Sequence, residues 1–204
     1  MFSSRFQDLA GAASSCVFTK KAEKIDENQA LKEAFRLVAK TQALNGIVYV
    51  IGNGGSAGIA SHFSTDLIKS LKIPSQTLYD SNLMTCLGND LGYENVFSYP
   101  LGKLLKSNDL LVAISSSGKS PNIVNAAHQA LSKNVQLITL SGFMQDNPLR
   151  QLGDLNFWVD RCDYGLVETA HFFLLHTIID LWNKTPATVE EYAEIFRDAF
   201  SVKN

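Results

Sequence analysis

The chain has 204 residues, of which 46% are hydrophobic and 19% are charged, and its 18 basic and 20 acidic side chains give a net charge of −2. This length and composition suit one globular domain and exclude a disordered or low-complexity chain. A charge so close to neutral provides no broad positive field for a phosphate backbone, so we expect no direct nucleic acid partner.

The three cysteines and the N-terminal residues indicate the cellular compartment of the protein. Cys16, Cys86 and Cys162 lie far apart and form neither a CxxC pair nor a dense disulfide pattern, which favours a reducing environment. Residues 1–19 lack the basic start and apolar run of a signal peptide. No stretch approaches the roughly 18 apolar residues that span a bilayer. We therefore expect a soluble, cytoplasmic protein with no membrane partner.

The first 45 residues have a helical pattern. Apolar residues recur at helical spacing over 25–44, and Asn45 and Gly46 follow as a left-handed stop. A weaker helical pattern covers 2–18. This N-terminal segment, 1–45, fits packing on the chain's own sheet as well as contact with another subunit.

From residue 46 onward, strand and helix patterns alternate. Five short apolar runs predict strands buried on both faces, at 47–51, 76–79, 110–114, 135–140 and 155–159. Helical patterns lie at about 57–71, 95–105, 120–132 and 167–183. This alternation predicts a single doubly wound α/β domain with a mostly parallel five-stranded sheet, whose ligands bind beyond the carboxyl ends of the strands. We expect 46–184 to form its core and 185–204 to add a C-terminal surface helix.

A glycine-rich loop follows the first predicted strand and leads directly into a helix. Its residues are Gly52, Asn53, Gly54, Gly55 and Ser56. Glycines let backbone N–H groups approach an anion, and the free N–H groups at a helix start favour negative charge. The loop lacks the GKS or GKT ending of a nucleotide P-loop and the GxGxxG spacing of a dinucleotide site. It predicts either a phosphate site or a tight structural turn.

A serine-rich loop follows the strand predicted at 110–114. Ser115, Ser116, Ser117 and Ser120 offer hydroxyl donors beside the amides of a helix start, a set that suits the oxygens of a phosphate monoester. Ser120 before Pro121 is also a usual helix start, but capping needs only one hydroxyl. The run of serines therefore favours a phosphate pocket shared with the glycine-rich loop.

Histidines and carboxylates follow these loops. His62 and Asp66 stand four residues apart on a predicted helix, so both project from one face, as a surface ion pair or as metal ligands. Glu168 and His171 have the i, i+3 spacing of metal-binding carboxylate helices. Glu168 and His176 are eight residues apart, about 12 Å along a helix.

The two loops, GNGGSA and SSSGKSPN, resemble in their order the phosphate-binding loops of the sugar isomerase (SIS) phosphosugar-binding domain. GNDLGY at 88–93 and VETAH at 167–171 resemble the phosphoheptose isomerase branch of that family. The resemblance covers about 46–180. It implies isomerisation of sedoheptulose 7-phosphate, a small phosphosugar, for bacterial heptose and lipopolysaccharide synthesis. It also implies a homotetramer with its site at a seam between subunits.

The resemblance further implies roles for individual residues. One Zn²⁺ per subunit is expected on His62, Asp66, Glu168 and His176, with Asp66 and His176 moving protons. In this sequence Asp66 stands where the family usually has Glu, Glu168 where it has Gln, and Gly165 where it has Asp. The residues expected to bind substrate are Asn53, Gly54, Gly55, Ser56, Asn89, Asp90, Ser115, Ser116, Ser117, Ser120 and Glu168.

Two other functions remain open at this point. A non-catalytic relative with the same fold binds a replication initiator protein, and it loses the first-helix carboxylate and the last-helix histidine that Asp66 and His176 retain here. A phosphosugar-sensing regulator typically carries an attached DNA-binding module, and no basic helix-turn-helix segment is evident in this sequence.

Overall fold

A seven-stranded sheet organises the fold. The structure, a computed structural model, describes residues 2–184, so the helix predicted over 185–204 lies outside the described residues. The strands are β1 (Cys16–Lys20), β2 (Glu23–Ile25), β3 (Val48–Ile51), β4 (Ser75–Gln76), β5 (Leu110–Ser115), β6 (Gln136–Ser141) and β7 (Leu155–Val159). Their order is β2-β1-β7-β6-β5-β3-β4. Strands β3 to β7 are parallel, and β1 pairs antiparallel with β2 and β7.

Helices cover both faces of this sheet. They are α1 (Phe2–Ser14), α2 (Glu27–Ala43), α3 (Gly55–Lys69), α4 (Ser81–Leu91), α5 (Ser98–Leu104), α6 (Pro121–Ser132) and α7 (Tyr164–Lys184). Helices α2, α3 and α7 pack on one face, and α4, α5 and α6 on the other. This arrangement confirms the doubly wound, mostly parallel α/β fold. Within residues 2–184, none of these helices combines the length and apolarity that crossing a bilayer requires.

Strand β5 shows why uninterrupted apolar runs form the centre of the sheet. All six of its residues are buried. Leu110, Val112 and Ile114 face the core under α2, α3 and α7, while Leu111 and Ala113 face the core under α4, α5 and α6. A strand covered on both faces has no solvent side, so consecutive apolar residues are needed.

The N-terminal segment differs from its prediction. The helix predicted over 2–18 ends at Ser14, and β1 and β2 follow as a hairpin that extends the sheet beyond β7. Phe18 of β1 packs edge-to-face on Phe157 of β7, with ring centroids 5.2 Å apart. Pairing with an existing sheet edge overrides a weak helical preference. All five predicted strands are present, and the hairpin adds two more.

Other boundaries follow local signals more closely. The helix predicted over 25–44 is α2, capped by the Asp26 side chain, which accepts from the backbone N–H of Gln29 at 2.9 Å. Asn45 adopts the predicted left-handed conformation, with φ of 54°. The strand predicted at 76–79 is shorter and earlier, at Ser75–Gln76, and the sequence patterns did not predict α4.

The topological switch point of the sheet lies between β3 and β5. From β3 the chain moves to β4 on one side, and β5 then returns to the other side of β3. Connections that diverge in this way leave a crevice beyond the carboxyl ends of the two strands. The glycine-rich loop follows β3 and the serine-rich loop follows β5, so the fold brings both predicted phosphate loops to this crevice.

Candidate active site

The glycine-rich loop ends at the start of α3. Gly54 is the N-cap residue, with φ of 51°, and no side chain caps the helix there. Gly52 is anchored from the side, because the Tyr79 hydroxyl accepts from its N–H at 2.8 Å and donates to its C=O at 3.0 Å. Ser56 is buried in the first turn of α3. An uncapped helix start leaves backbone N–H groups available to an anion.

The serine-rich loop lies beside it, at the start of α6. Ser120 is the N-cap residue of α6 but makes no capping hydrogen bond. Its hydroxyl instead accepts from the Ser115 hydroxyl at 3.1 Å, and the Ser117 hydroxyl accepts from the Lys119 N–H at 3.3 Å. The Ser116 hydroxyl is buried without a hydrogen-bond partner in the described part of the chain. This arrangement fits a cluster of donors better than a simple helix cap.

Two asparagines that are not among the predicted site residues hold these loops. Asn122 of α6 pairs with Asn53 through two side-chain hydrogen bonds. Asn147 is fully buried, and its Nδ2 donates to Ser141 Oγ at 3.2 Å and to the carbonyl oxygen of Met144 at 2.8 Å. Asn122 stands in the serine-rich motif, so its position offered a signal. Nothing in the local sequence marks Asn147, because only the tertiary structure buries it.

Three predicted metal ligands meet between α3 and α7. His62 Nε2 lies 3.1 Å from Asp66 Oδ2, and His176 Nδ1 lies 3.7 Å from the same oxygen. One ligand atom from each residue fits within a group of mutual distances below 4.8 Å. We call His62, Asp66 and His176 the metal triad.

The metal triad has the chemistry of a cation site. Asp66 Oδ2 and His176 Nδ1 are buried, and neither has a hydrogen-bond partner among the described residues. A buried polar atom without a partner is costly, and a bound cation would satisfy both atoms. Two imidazoles and one carboxylate are also a donor set that catalytic zinc sites use. The residues present therefore fit a divalent metal such as Zn²⁺.

Glu168, the fourth predicted ligand, lies elsewhere. Its carboxylate contacts the first residue of α3, where a Cβ on Gly55 would overlap it. It lies outside the group of ligand atoms that the metal triad forms in the described residues. Eight residues on α7, about 12 Å, separate Glu168 from His176. The structure thus brings Glu168 to the glycine-rich loop.

Asn89 and Asp90 lie on the exposed final turn of α4. The Asn89 Nδ2 group donates to Asp90 Oδ1 at 2.8 Å, and the Asp90 Oδ2 atom accepts from the Cys86 thiol at 3.5 Å. These two predicted substrate-binding residues therefore bond to each other and to α4. Tyr93 follows this helix, and its hydroxyl donates to Asn53 Oδ1 of the glycine-rich loop at 3.4 Å.

His171 is a buried histidine apart from the metal triad. It is fully buried on α7, and its Nε2 lies 3.0 Å from the carbonyl oxygen of Ser141. Burial lowers the pKa of His171 to about 4, because a charged imidazole would be desolvated there. His171 is therefore neutral at pH 7, and it joins α7 to the end of β6.

We expect this buried histidine to destabilise the protein in acid. The unfolded chain protonates His171 near pH 6.5 and the folded chain only near pH 4. Its stabilising contribution is therefore complete above pH 6.5 and is lost as the pH falls to about 4, a total of about 3 kcal/mol. Urea titrations at pH 7 and pH 4.5 measure the change. The His171→Gln variant keeps a donor for Ser141 but does not titrate, so its pH-dependent loss should be about 2 kcal/mol smaller. Equal losses in the two proteins would contradict this assignment.

Comparison with protein families assigns most of the chain to a known domain family. The family model described as the SIS domain matches residues 16–142. This segment contains both loops and the first two residues of the metal triad.

Individual relatives indicate which branch of this family the chain is similar to. The phosphoheptose isomerase of Campylobacter concisus is 37% identical over 154 residues, which cover 72% of this chain and 81% of that relative. The phosphoheptose isomerase of Shewanella frigidimarina is 32% identical over 191 residues, covering 86% and 96%. The solved phosphoheptose isomerase of Neisseria gonorrhoeae has a TM-score of 0.76 and 26% identity, covering 88% of this chain and 96% of that one. The chain belongs to the SIS domain family, in its phosphoheptose isomerase branch, and is an isomerase.

Proposed function

We propose that the chain converts sedoheptulose 7-phosphate to D-glycero-D-manno-heptose 7-phosphate, a step in bacterial heptose and lipopolysaccharide synthesis. The observation that carries this proposal is the metal triad, because it brings a carboxylate and two imidazoles together on α3, the helix that begins at the glycine-rich loop, and on α7, in a relative of the phosphoheptose isomerases. The triad also argues against the non-catalytic, initiator-binding alternative, which lacks two of these residues.

Ketose to aldose conversion moves a proton between neighbouring carbons through an enediol. In the proposed mechanism Asp66 takes the proton from C1 of the ketose and returns it to C2. His176, 3.7 Å from the Asp66 carboxylate, moves a proton between the O1 and O2 oxygens.

In this proposal His62, Asp66 and His176 hold one Zn²⁺ per subunit. Bound zinc supplies Lewis-acid polarisation of the substrate oxygens. We assign Glu168 to substrate binding, because its carboxylate lies against Gly55 of the glycine-rich loop.

The two loops bind the phosphate group of the substrate in this proposal. Ser56 and the serine-rich loop (Ser115, Ser116, Ser117 and Ser120) supply hydroxyl donors, and Gly54 and Gly55 supply backbone N–H groups. Asn53, Asn89 and Asp90 are assigned to the sugar hydroxyls. Holding the phosphate at one end fixes the position of the reacting carbons at the other end. This orientation lowers the activation barrier of the isomerisation.

We further propose that the protein is a cytoplasmic homotetramer with its sites near subunit contacts. Ile68, Phe172 and Phe173 are 51%, 36% and 58% exposed on α3 and α7, on the same helices as the metal triad. Phe6 is 68% exposed on α1. Large exposed apolar side chains grouped in this way are typical of protein contact surfaces.

An isomerisation assay tests the proposed function. Purified protein supplied with Zn²⁺ is expected to convert sedoheptulose 7-phosphate to an aldoheptose phosphate, followed by ¹³C NMR because the two sugars have equal mass. A chelator should abolish turnover, and added Zn²⁺ should restore it. Zinc-loaded protein that leaves the ketose unchanged would reject the proposed activity and favour the initiator-binding alternative. Turnover that survives exhaustive chelation would reject only the metal requirement.

A further inference from the structure

Asn122 is a buried polar residue that the proposed mechanism does not use. It stands in the first turn of α6 and is only 2% exposed. Its side chain reaches Asn53, which lies 69 positions earlier in the glycine-rich loop. Asn53 Nδ2 donates to Asn122 Oδ1 at 2.9 Å, and Asn122 Nδ2 donates to Asn53 Oδ1 at 2.8 Å. We call this reciprocal pair the amide clasp.

The amide clasp spans the crevice at the switch point. Strands β3 and β5 are paired, so the sheet fixes where the two loops begin, but the loops lead to α3 and α6 on opposite faces and diverge beyond the strand ends. Asn53 belongs to the loop after β3, and Asn122 to the helix that begins directly after the serine-rich loop. The clasp therefore joins the two segments that the proposed phosphate site needs at a fixed separation.

The amide clasp also determines which atoms Asn53 can offer to a ligand. Each amide uses one N–H and its oxygen in the pair, so the Asn53 Nδ2 group keeps one further N–H. Rotating the Asn53 amide by half a turn would place oxygen against oxygen and nitrogen against nitrogen. Asn122 thus holds Asn53 in the orientation that offers a donor. Because the pair is uncharged, it does not repel a bound anion, and it does not act as a charged substitute for one.

We infer that Asn122 is a positioning residue for phosphate monoester binding: by pairing with Asn53 it fixes the separation of the two loops, and it does not touch the ligand. The inference rests on the proposed phosphate site and adds to it the residue that sets its geometry. Two loops that are already joined lose little freedom when an anion binds, so the clasp raises affinity by preorganisation.

The Asn122→Ala variant tests this inference. With inorganic phosphate as the probe, we expect the dissociation constant from titration calorimetry to rise about tenfold, the effect of one or two neutral hydrogen bonds. With sedoheptulose 7-phosphate, KM should rise by a similar factor while kcat changes much less, because the metal triad is intact. Affinity for Co²⁺, read from its visible absorption, should stay at the wild-type value.

A second substitution separates positioning from helix stability. Asn122→Asp keeps an acceptor, loses the donor to Asn53 and adds a negative charge near the anion. An acidic residue in the first turn of a helix is favourable for that helix. We therefore expect Asn122→Asp to bind phosphate more weakly than Asn122→Ala while remaining folded. Phosphate affinity equal to wild type in both variants would overturn the inference.

Asn125 provides a matched control on the same helix. Its Nδ2 donates to the carbonyl oxygen of Glu94 at 3.0 Å, so Asn125→Ala also removes a side-chain hydrogen bond from α6. Phosphate affinity should be unchanged in this variant. An equal loss in Asn125→Ala would show that α6 is merely weakened and would overturn the inference.

The double variant Asn53→Ala/Asn122→Ala tests whether Asn122 acts through Asn53. If it does, the double variant binds phosphate no more weakly than Asn53→Ala alone. A further tenfold loss would overturn the inference. Wild-type protein that binds phosphate without isomerising the sugar would reject the proposed function, and the binding experiments would still decide the role of Asn122. Wild-type protein that binds no phosphate would reject both.

Discussion

Replacing His176 with alanine is expected to abolish metal binding and to lower kcat by about 10²- to 10⁴-fold, the usual contribution of a positioned acid or base. His176 Nδ1 is buried and lies 3.7 Å from Asp66 Oδ2, without a hydrogen-bond partner in the described residues. Its removal takes away one of the three donors in the metal triad and the proposed proton carrier. Calorimetric titration with Zn²⁺ and the isomerase assay measure the two losses.

Asp66→Asn should have an effect of similar size, because it preserves the volume of the side chain and removes its negative charge. His128→Ala is the matched control, since this exposed histidine lies on α6, outside the metal triad. It should bind Zn²⁺ and turn over substrate like wild type. Full turnover in both His176→Ala and Asp66→Asn would reject the assigned residues. Loss of turnover with unchanged zinc affinity would reject their role as ligands.

Gly118→Ala is expected to lower the free energy of unfolding by about 3 kcal/mol and to remove phosphate binding. Gly118 has φ of 65°, where a side chain costs about 1–2 kcal/mol. A Cβ at this position would also overlap the amide of Asn147. Asn147 is fully buried and makes hydrogen bonds that hold the connection after β6, and each one lost costs about 1 kcal/mol.

Gly58→Ala is the matched control for the Gly118 prediction. A Cβ on Gly58 has open space around it, and the residue lies inside α3. This substitution should stabilise the protein by about 0.5–1 kcal/mol, because alanine loses less backbone freedom in a helix. Urea titrations of both variants measure the difference. A Gly118→Ala protein as stable as wild type would contradict the claim that this left-handed position beside Asn147 requires glycine.

Much of the parallel core was predictable because its causes are local. A strand buried on both faces requires consecutive apolar residues, and β3 and β5 show this pattern directly in the sequence. Helix α2 carries its own start and stop signals, Asp26 and the left-handed Asn45. Strand β1 was missed because its stability comes from pairing with β7, which lies about 140 residues further along the chain.

The candidate site likewise has features that the sequence predicts and contacts that only the tertiary structure shows. By itself the sequence predicted the glycine-rich and serine-rich loops as candidate phosphate sites, since glycine and serine act through their own backbone and hydroxyl chemistry, and it placed His62 and Asp66 on one helix face. Only the tertiary structure decided that His176 meets this pair, that Glu168 lies against Gly55, and that Asn122 joins the loops. Those contacts depend on how α3, α6 and α7 pack on the sheet, and a distance between separate elements has no counterpart in local residue patterns.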